Sequence, residues 1–304
     1  MGLYQKHRPK TFDEVKGNRD VVASLKAMLK DKETMPHSFL FHGGTGTGKT
    51  TLARIIANEL GCTENNIIEI DTAQFRGIDT IRDLRKNAQY TPLGGGDRVY
   101  IIDEVHKMTG DAQNAFLKIL EDTPKHVFFI LCTTDPQSLL PTIKGRCSQF
   151  QTSVLSNKLM GELLLEVAEK EGVTIDDELI KVITESSQGH PRNALTILEQ
   201  VLQVPEKRRL KAAKIASEEK SESIALCRAL MYKKGWREIA AILKGLKTQD
   251  PESIRRVVLG YATSVLLNKD NEMAYYILEC FEEPTYNIGF PGIVLACQRV
   301  LNYE

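Results

Sequence analysis

The sequence has no excess of charge of either sign. Its 40 lysines and arginines are matched by 40 aspartates and glutamates, so the formal net charge is +0 at pH 7. A chain balanced in this way has no overall electrostatic attraction for nucleic acid. Any contact with DNA must therefore come from a local basic patch.

The chain also lacks the usual signals of membrane association. No apolar run approaches the length that spans a bilayer, and the N-terminal residues MGLYQKHRPK contain no apolar core of a signal peptide. Lys6 stands where N-myristoylation requires serine or threonine. We therefore expect no membrane contact and a cytoplasmic location.

Cysteine is scarce and scattered. The six cysteines, at positions 62, 132, 147, 227, 280 and 297, include no Cys-x-x-Cys pair, the spacing that is typical of zinc sites. We therefore predict no zinc, and a set of free buried thiols is the default for such a chain.

The first half of the chain alternates strand and helix patterns. Nearly continuous apolar runs, typical of strands covered on both faces of a parallel sheet, occupy residues 38–41, 67–70, 99–102 and 127–131, and Phe150 marks a fifth. Helical patterns at 50–60, 78–89 and 111–121 lie between them. This alternation predicts a doubly wound α/β domain with a five-stranded parallel sheet.

From about Ser156 onward only helical patterns remain. They cover residues 158–171, 176–186 and 191–202, and four or five more follow from about residue 221. The charged run at 205–209 reads as a solvated linker. Because 304 residues are enough for two or three domains, we predict boundaries near residues 153 and 205.

A glycine-rich loop follows the first predicted strand. The stretch GGTGTGKT at 43–50 matches the pattern G-x-x-x-x-G-K-[ST], and a helix pattern leaves it. Backbone N–H groups of such a loop surround a β-phosphate at a helix N-terminus. The lysine reaches the phosphates, and the hydroxyl after it binds Mg²⁺. The predicted nucleotide-binding residues here are Gly43, Gly44, Thr45, Gly46, Thr47, Gly48, Lys49, Thr50 and Thr51.

Two carboxylates follow the third predicted strand. Asp103 is expected to hold Mg²⁺ together with Thr50, and Glu104 to orient or deprotonate the attacking water. Because neighbouring strand residues point to opposite faces, both act only if the chain bends at the strand end. The sequence therefore predicts an ATPase that uses ATP and Mg²⁺, with Lys49 among its catalytic residues. A P-loop kinase is disfavoured, because no lid or acceptor pocket is evident.

The order of these motifs resembles the clamp-loader subunits of the AAA+ ATPases. That family includes the bacterial gamma/tau subunits and the small subunits of replication factor C. The matching segments, which extend from residue 4 to about residue 200, are YQKHRPKTF at 4–12, the phosphate loop, EID at 69–71, IDEVH at 102–106, NAFLKILE at 114–121, TTDPQ at 133–137, GRC at 145–147 and GHPRNAL at 189–195.

The resemblance implies that Arg146 is an arginine finger. In the family this arginine points into the ATP site of a neighbouring subunit, so no isolated subunit has a complete active site. The family pattern is Ser-Arg-Cys, whereas this chain has Gly145 in place of the serine. Glycine loosens the local backbone.

The resemblance also implies further nucleotide contacts. Thr134 falls where the family has its γ-phosphate sensor, and Arg192 falls where a helix of the small domain lays a second sensor on the phosphates. Arg8, Pro9 and Val15 fall where the family contacts the adenine and its ribose.

A second departure from the family lies between Gly61 and Ile67. Bacterial gamma/tau subunits carry a four-cysteine zinc module there, whereas this chain has only Cys62. The shorter form is similar to archaeal, eukaryotic or phage loaders. A phage-encoded protein acting in its host's cytoplasm therefore stays open as an alternative.

The family function implies DNA and protein partners. Such loaders form a ring or spiral, expected here as a pentamer with several copies of this chain, that opens a sliding clamp and grips the phosphates of primer–template DNA. Candidate DNA contacts are Arg76, Arg82 and Lys107. The implied parts are an AAA+ nucleotide-binding domain at 1–153, a helical lid at 154–205 and a helical collar at 206–304, and the implied location is the replication fork.

Two other functions stay open. One is an AAA+ helicase or branch-migration motor, because DEVH at 103–106 matches a helicase box, although a second motor core is missing. The other is a non-hydrolysing scaffold subunit of the same loader, which the intact Lys49, Thr50, Asp103, Glu104 and Arg146 oppose.

Overall fold

A computed structural model describes residues 2–32, 34–72, 77–92, 95–247, 249–285 and 288–302. Of residues 215–222, which belong to a helix, it describes the backbone alone. The chain divides into two compact units, Met1–Gln200 and Val201–Glu304. The predicted division into three parts stays a prediction. Within the described ranges, no helix combines the length and apolar character that a membrane crossing requires.

A five-stranded sheet forms the centre of the first unit. Its strands lie in the order β2-β3-β4-β1-β5, and every neighbouring pair is parallel. The five predicted strands are confirmed. Their bounds are β1 Ser38–Gly43, β2 Ile67–Asp71, β3 Arg98–Asp103, β4 Val127–Thr133 and β5 Ser148–Thr152.

Helices cover both faces of this sheet. Alternate strand residues enter different cores: Phe39 and Phe41 of β1 pack on one face, and Leu40 packs on the other. Because both faces of each strand are buried, the strands appear in the sequence as nearly continuous apolar runs. The helices of the unit are α1 Leu3–Lys6, α2 Arg19–Met28, α3 Lys49–Glu59, α4 Ile78–Ala88, α5 Gly110–Glu121, α6 Pro141–Lys144, α7 Asn157–Lys170, α8 Asp177–Ser187 and α9 Pro191–Leu202.

The strand order determines where a ligand can bind. The chain leaves β1 for the sheet edge at β2, returns through β3 to β4, and then crosses to β5 on the far side of β1. Parallel sheets bind ligands outside the carboxyl ends of the strands, where the strand order reverses. The loop after β1 and the carboxylates after β3 both lie at this edge.

The second unit is built from helices around one apolar core. The predicted linker at 205–209 is wrong, because helix α10 begins at Glu206 immediately after Pro205. The four charged residues that follow Pro205 show no apolar period by which the start of a helix could be recognised. The helices are α10 Glu206–Met231, α11 Trp236–Leu246, α12 Pro251–Asn268, α13 Glu272–Cys280 and α14 Phe290–Leu301.

A buried carboxylate ties α12 to the chain before α14. Glu252 pairs with Arg255 at 2.7 Å, and its other oxygen accepts hydrogen bonds from the backbone N–H and hydroxyl of Thr285 at 3.1 and 3.0 Å. The pairing with Arg255 lowers the pKa of the Glu252 carboxyl to about 2.

Candidate functional site

The first unit contains a cavity of about 390 Å³ at the carboxyl edge of the sheet. It is bounded by the N-terminal arm, the glycine-rich loop, the end of β3 and the start of α9. Residues predicted for the nucleotide site that line it are Arg8, Pro9, Val15, Thr45, Gly46, Thr47, Gly48, Lys49, Thr50, Thr51, Asp103, Glu104 and Arg192.

Positive φ angles explain the glycines of the loop. Gly43, Gly46 and Gly48 have φ of 147°, 73° and 99°, a region that residues with a Cβ rarely adopt. At Gly43 there is also no room, because a Cβ would lie 2.3 Å from the Thr152 carbonyl oxygen. The loop conformation therefore requires glycine at its entrance.

A threonine of β5 anchors the loop. The Thr152 hydroxyl lies 2.7 Å from the Thr47 hydroxyl, and Thr47 donates to the Gly44 carbonyl at 2.8 Å. Asn18 adds a second tie, since its amide donates to the Thr47 carbonyl at 3.5 Å. Neither Thr152 nor Asn18 was predicted from the sequence, because each reaches the loop only through tertiary contacts.

Lys49 is buried at the base of the loop. Its ammonium donates to the carbonyl oxygens of Gly43 and Gly44 at 2.9 and 2.7 Å, which leaves one of three N–H donors for a ligand. Burial lowers the pKa of Lys49, and the charge of Arg192 adds to this effect while Glu104 and Asp103 oppose it. An anion in the cavity would relieve the repulsion between these cations.

The residues predicted for Mg²⁺ meet in the structure. The Thr50 hydroxyl donates to Asp103 Oδ2 at 2.8 Å, so a hydroxyl and a carboxylate oxygen lie side by side. Mg²⁺ prefers such oxygen ligands and takes few of them from the protein. The pair therefore fits this ion.

The chain bends where Glu104 follows β3. The strand ends at Asp103, and Glu104 has φ 52° and ψ 38°, a strained conformation for a residue with a side chain. The Thr72 hydroxyl stabilises the bend, since it lies 2.6 Å from the Glu104 carbonyl and 3.0 Å from that of Asp103. The bend lets both carboxylates line one cavity.

The N-terminal arm and α9 form the wall of the cavity. The guanidinium of Arg192 lies over the Tyr4 ring, 5.7 Å from its centroid, a cation–π contact that nothing in the sequence indicated. Burial lowers the pKa of the Arg8 guanidinium, and the charges of Arg54 and Arg192 lower it further. Arg8, Lys49 and Arg192 thus bring three positive charges to one cavity.

Four residues predicted for the site are not among those that line the cavity in the described part of the chain. Gly43 and Gly44 lie at the base of the loop, where their carbonyls accept from Lys49, and the other two are Thr134 and Arg146. Thr134 is half-buried after β4 and is not among the residues that line the cavity. Arg146, also outside the lining, pairs with Glu121 at 2.5 Å and donates to the Thr142 carbonyl at 3.1 Å. Gly145 has φ −67° at the end of α6, a conformation that any residue adopts.

The candidate DNA contacts are surface residues. Arg82 of α4 is exposed and pairs with Asp79 at 3.0 Å, and Lys107 is exposed after β3. Arg76 lies outside the described residues. These positions carry no contact that tests a role in DNA binding.

Two family models match parts of the chain. The model described as DNA polymerase III, delta subunit, matches residues 63–156. The model described as Zeta toxin matches residues 19–91, the stretch that contains the phosphate loop. Each match covers less than half of the chain.

Several curated proteins are similar in sequence. The DNA polymerase III subunit gamma/tau of Mycobacterium tuberculosis (strain H37Rv) is 36% identical over 225 residues, which cover 66% of this chain and 39% of that protein. The Escherichia coli subunit tau is 34% identical over 66% of this chain and 34% of that protein. The Buchnera aphidicola subunit gamma is 34% identical over 66% of this chain and 61% of that protein. The chain thus spans only part of the length of these relatives.

Solved structures with a similar fold include the RuvB Holliday junction branch migration motor of Thermotoga maritima. Its TM-score is 0.62 at 21% identity, and the match covers 80% of this chain and 86% of that chain. At this identity the likeness shows the fold alone.

Proposed function

We propose, on the premise that this chain is a clamp-loader AAA+ protein related to the DNA polymerase III gamma/tau subunits, that it is an ATPase subunit of a DNA sliding-clamp loader. The resemblance inferred from the motifs is confirmed by these relatives, and the AAA+ P-loop fold is confirmed by the likeness to RuvB. The activity, its substrates and its partners are the proposal.

One observation carries the proposal. A single cavity brings together a glycine-rich loop, the cations Arg8, Lys49 and Arg192, and the carboxylates that follow β3. A triphosphate supplies the negative charge that three converging cations favour. The carboxylates that line the same cavity match a bound cation and an activated water.

The chain's own residues have distinct roles in hydrolysis. The loop N–H groups and Lys49 bind the phosphates. Thr50 and Asp103 hold Mg²⁺, which when bound neutralises charge on the phosphate oxygens. Glu104 orients the attacking water and accepts its proton. Thr134 senses the γ-phosphate, and Arg192 contacts the phosphates from α9 as the second sensor.

The adenine end of the nucleotide binds against the N-terminal arm. Arg8, Pro9 and Val15 line that side of the cavity. The arm is held by ion pairs to α7 and its loop, since both Lys6 and His7 contact Glu171, at 2.7 and 2.5 Å. We propose that the arm covers the base of the bound nucleotide, so that loss of the contacts of Lys6 and His7 with Glu171 lowers nucleotide affinity.

Arg146 completes the site of a neighbouring subunit. It lies outside the lining of its own cavity, and its partner Glu121 is itself 48% exposed. An exposed ion pair contributes about 1 kcal/mol or less, whereas an arginine finger contributes about 10³–10⁵ in rate. Release of Arg146 from Glu121 therefore costs little compared with the transition-state stabilisation that a finger at a neighbour's γ-phosphate supplies.

The proposed assembly is a pentameric ring or spiral with several copies of this chain. The AAA+ domain at 1–153 and the lid at 154–205 hold nucleotide, and the collar at 206–304 joins subunits. Arg82 and Lys107, with Arg76, grip primer–template phosphates, and ATP binding opens the clamp. We propose that the assembly acts in the cytoplasm at the replication fork and uses no zinc.

An ATPase assay with and without a sliding clamp and primed DNA tests the proposal. We expect phosphate release to rise only when both are present, and Lys49→Ala to abolish it. A chain that separates DNA strands and ignores the clamp would favour the motor alternative. Full binding of ATP with no hydrolysis would favour the scaffold alternative.

A further inference from the structure

His106 has no role in the proposed mechanism, yet it lies against the carboxylate that the mechanism depends on. It occupies a short 3₁₀ turn, Val105–Lys107, directly after the bend at Glu104. The turn brings the ring back over that residue, so that His106 Nε2 lies 3.4 Å from Glu104 Oε2. The His106 side chain is only 10% exposed.

The other ring nitrogen contacts the end of β4. His106 Nδ1 lies 2.9 Å from the hydroxyl oxygen of Thr133, which is fully buried. The same oxygen accepts the backbone N–H of Asp135 at 3.0 Å. Because that N–H can only donate, the Thr133 hydroxyl keeps its own proton free to donate to Nδ1.

The contacts with Thr133 and with the Glu104 carboxylate, which can only accept, together favour one tautomer of the neutral ring. A neutral imidazole has one N–H and one acceptor nitrogen. If Nδ1 accepts from Thr133, the proton is on Nε2 and faces the Glu104 carboxylate. Thr133 then donates to His106 Nδ1, and the Nε2–H faces the Glu104 carboxylate oxygen at 3.4 Å, an electrostatic contact longer than an ordinary hydrogen bond.

We infer that His106 is a positioning residue that holds the Glu104 carboxylate in the orientation required for water activation. The inference rests on the proposed ATPase function. It also links Glu104 to the strand end that precedes Thr134, the predicted phosphate sensor, so a shift of that strand end changes the orientation of the general base.

The positioning role can be distinguished from a role in which His106 supports the Glu104 backbone. The Glu104 backbone is held without the ring, since its carbonyl accepts from the Thr72 hydroxyl at 2.6 Å and from the Lys107 N–H at 2.7 Å. Loss of the ring therefore frees the carboxylate and leaves the buried Thr133 hydroxyl without its ring partner, while the Glu104 backbone stays in place. We expect a lower kcat with unchanged ATP affinity.

Two amide substitutions distinguish the contributions of the two ring nitrogens. In His106→Gln the side-chain amide nitrogen takes the place of Nε2 and still presents an N–H to Glu104. In His106→Asn the shorter amide reaches Thr133 but not Glu104. Since a misplacement of about 1 Å can cost about 100-fold in rate, we expect His106→Ala and His106→Asn to lose about 10- to 100-fold in kcat and His106→Gln to retain most of it.

The kinetics are measured with clamp and primed DNA, and affinity is measured with a fluorescent ATP analogue. Equal loss in the Gln and Asn variants, or wild-type kcat in His106→Ala, would overturn the inference. A wild-type protein that hydrolyses no ATP overturns the proposed function instead.

Nitrogen NMR of the histidine-labelled full chain tests the geometry without reference to hydrolysis. We expect the Nε2–H tautomer at His106 in the wild type and its loss in Thr133→Val, with retention in Thr133→Ser. An Nδ1–H tautomer in the wild type would overturn the inference whatever the kinetics show.

Discussion

The Gly43→Ala substitution tests how the sheet holds the phosphate loop. Gly43 ends β1 with φ 147°, and its backbone lies beside Thr152 of β5. An added Cβ would lie 2.3 Å from the Thr152 carbonyl oxygen and 2.5 Å from its hydroxyl. The first contact is with the backbone of a paired strand, so no side-chain rotation relieves it.

The expected cost has two parts. A non-glycine residue at this φ lowers the free energy of unfolding by about 1–3 kcal/mol. The overpacked contact lowers it by about a further 1–3 kcal/mol. The sum is about 2–6 kcal/mol, which for a unit of this size lowers the melting temperature by about 4–24 °C. Because the Gly43 carbonyl also binds Lys49 at 2.9 Å, nucleotide affinity should fall as well.

Thermal unfolding followed by circular dichroism, together with binding of a fluorescent ATP analogue, measures both effects. Gly77→Ala is the matched control, because Gly77 has φ −85° and no heavy atom within 4 Å of the added Cβ. Removing the Thr152 hydroxyl as well should not rescue Gly43→Ala. A Gly43→Ala protein that melts with the wild type, or rescue by Thr152→Ala, would refute the reasoning.

Three other substitutions give distinct outcomes. Glu121→Gln frees Arg146 from an exposed pair and should raise phosphate release by no more than about 5-fold; a large loss would contradict this. The pKa of Glu252 is lowered from 4.5 to about 2. Its ionised carboxylate therefore stabilises the fold at pH values above the ordinary glutamate pKa, and this stabilisation is lost as the pH falls through about 2. Glu252→Gln should therefore be less stable at neutral pH and show a flatter acid unfolding curve. Gly145→Ser should leave the melting temperature unchanged, because the nearest atom to its Cβ is 3.5 Å away; clear destabilisation would contradict it.

The central sheet was predictable because strands buried on both faces have apolar residues at nearly every position. The phosphate loop was predictable because only glycine allows its positive φ angles. The bend at Glu104 was predictable as well, since two neighbouring strand residues reach one cavity only if the chain turns. In each case the physical requirement concerns a few adjacent residues.

Contacts between distant segments were not predictable in this way. Thr152 meets Thr47 only because β5 pairs with β1 in one register. Tyr4 contacts Arg192 although nearly the whole sequence of the first unit separates them. The Glu121 partner of Arg146 depends on how α5 packs beside α6. Charge alone likewise failed at 205–209, where a solvated linker and a solvated helix start have the same composition.

Mixing Lys49→Ala subunits with Arg146→Ala subunits tests most directly whether the active site is shared between neighbours. Each variant alone should be inactive with clamp and primed DNA. In an equal mixture, about one interface in four joins an intact phosphate loop to an intact arginine, so about a quarter of the wild-type phosphate release should return. A mixture as inactive as its components would contradict a finger that acts in trans.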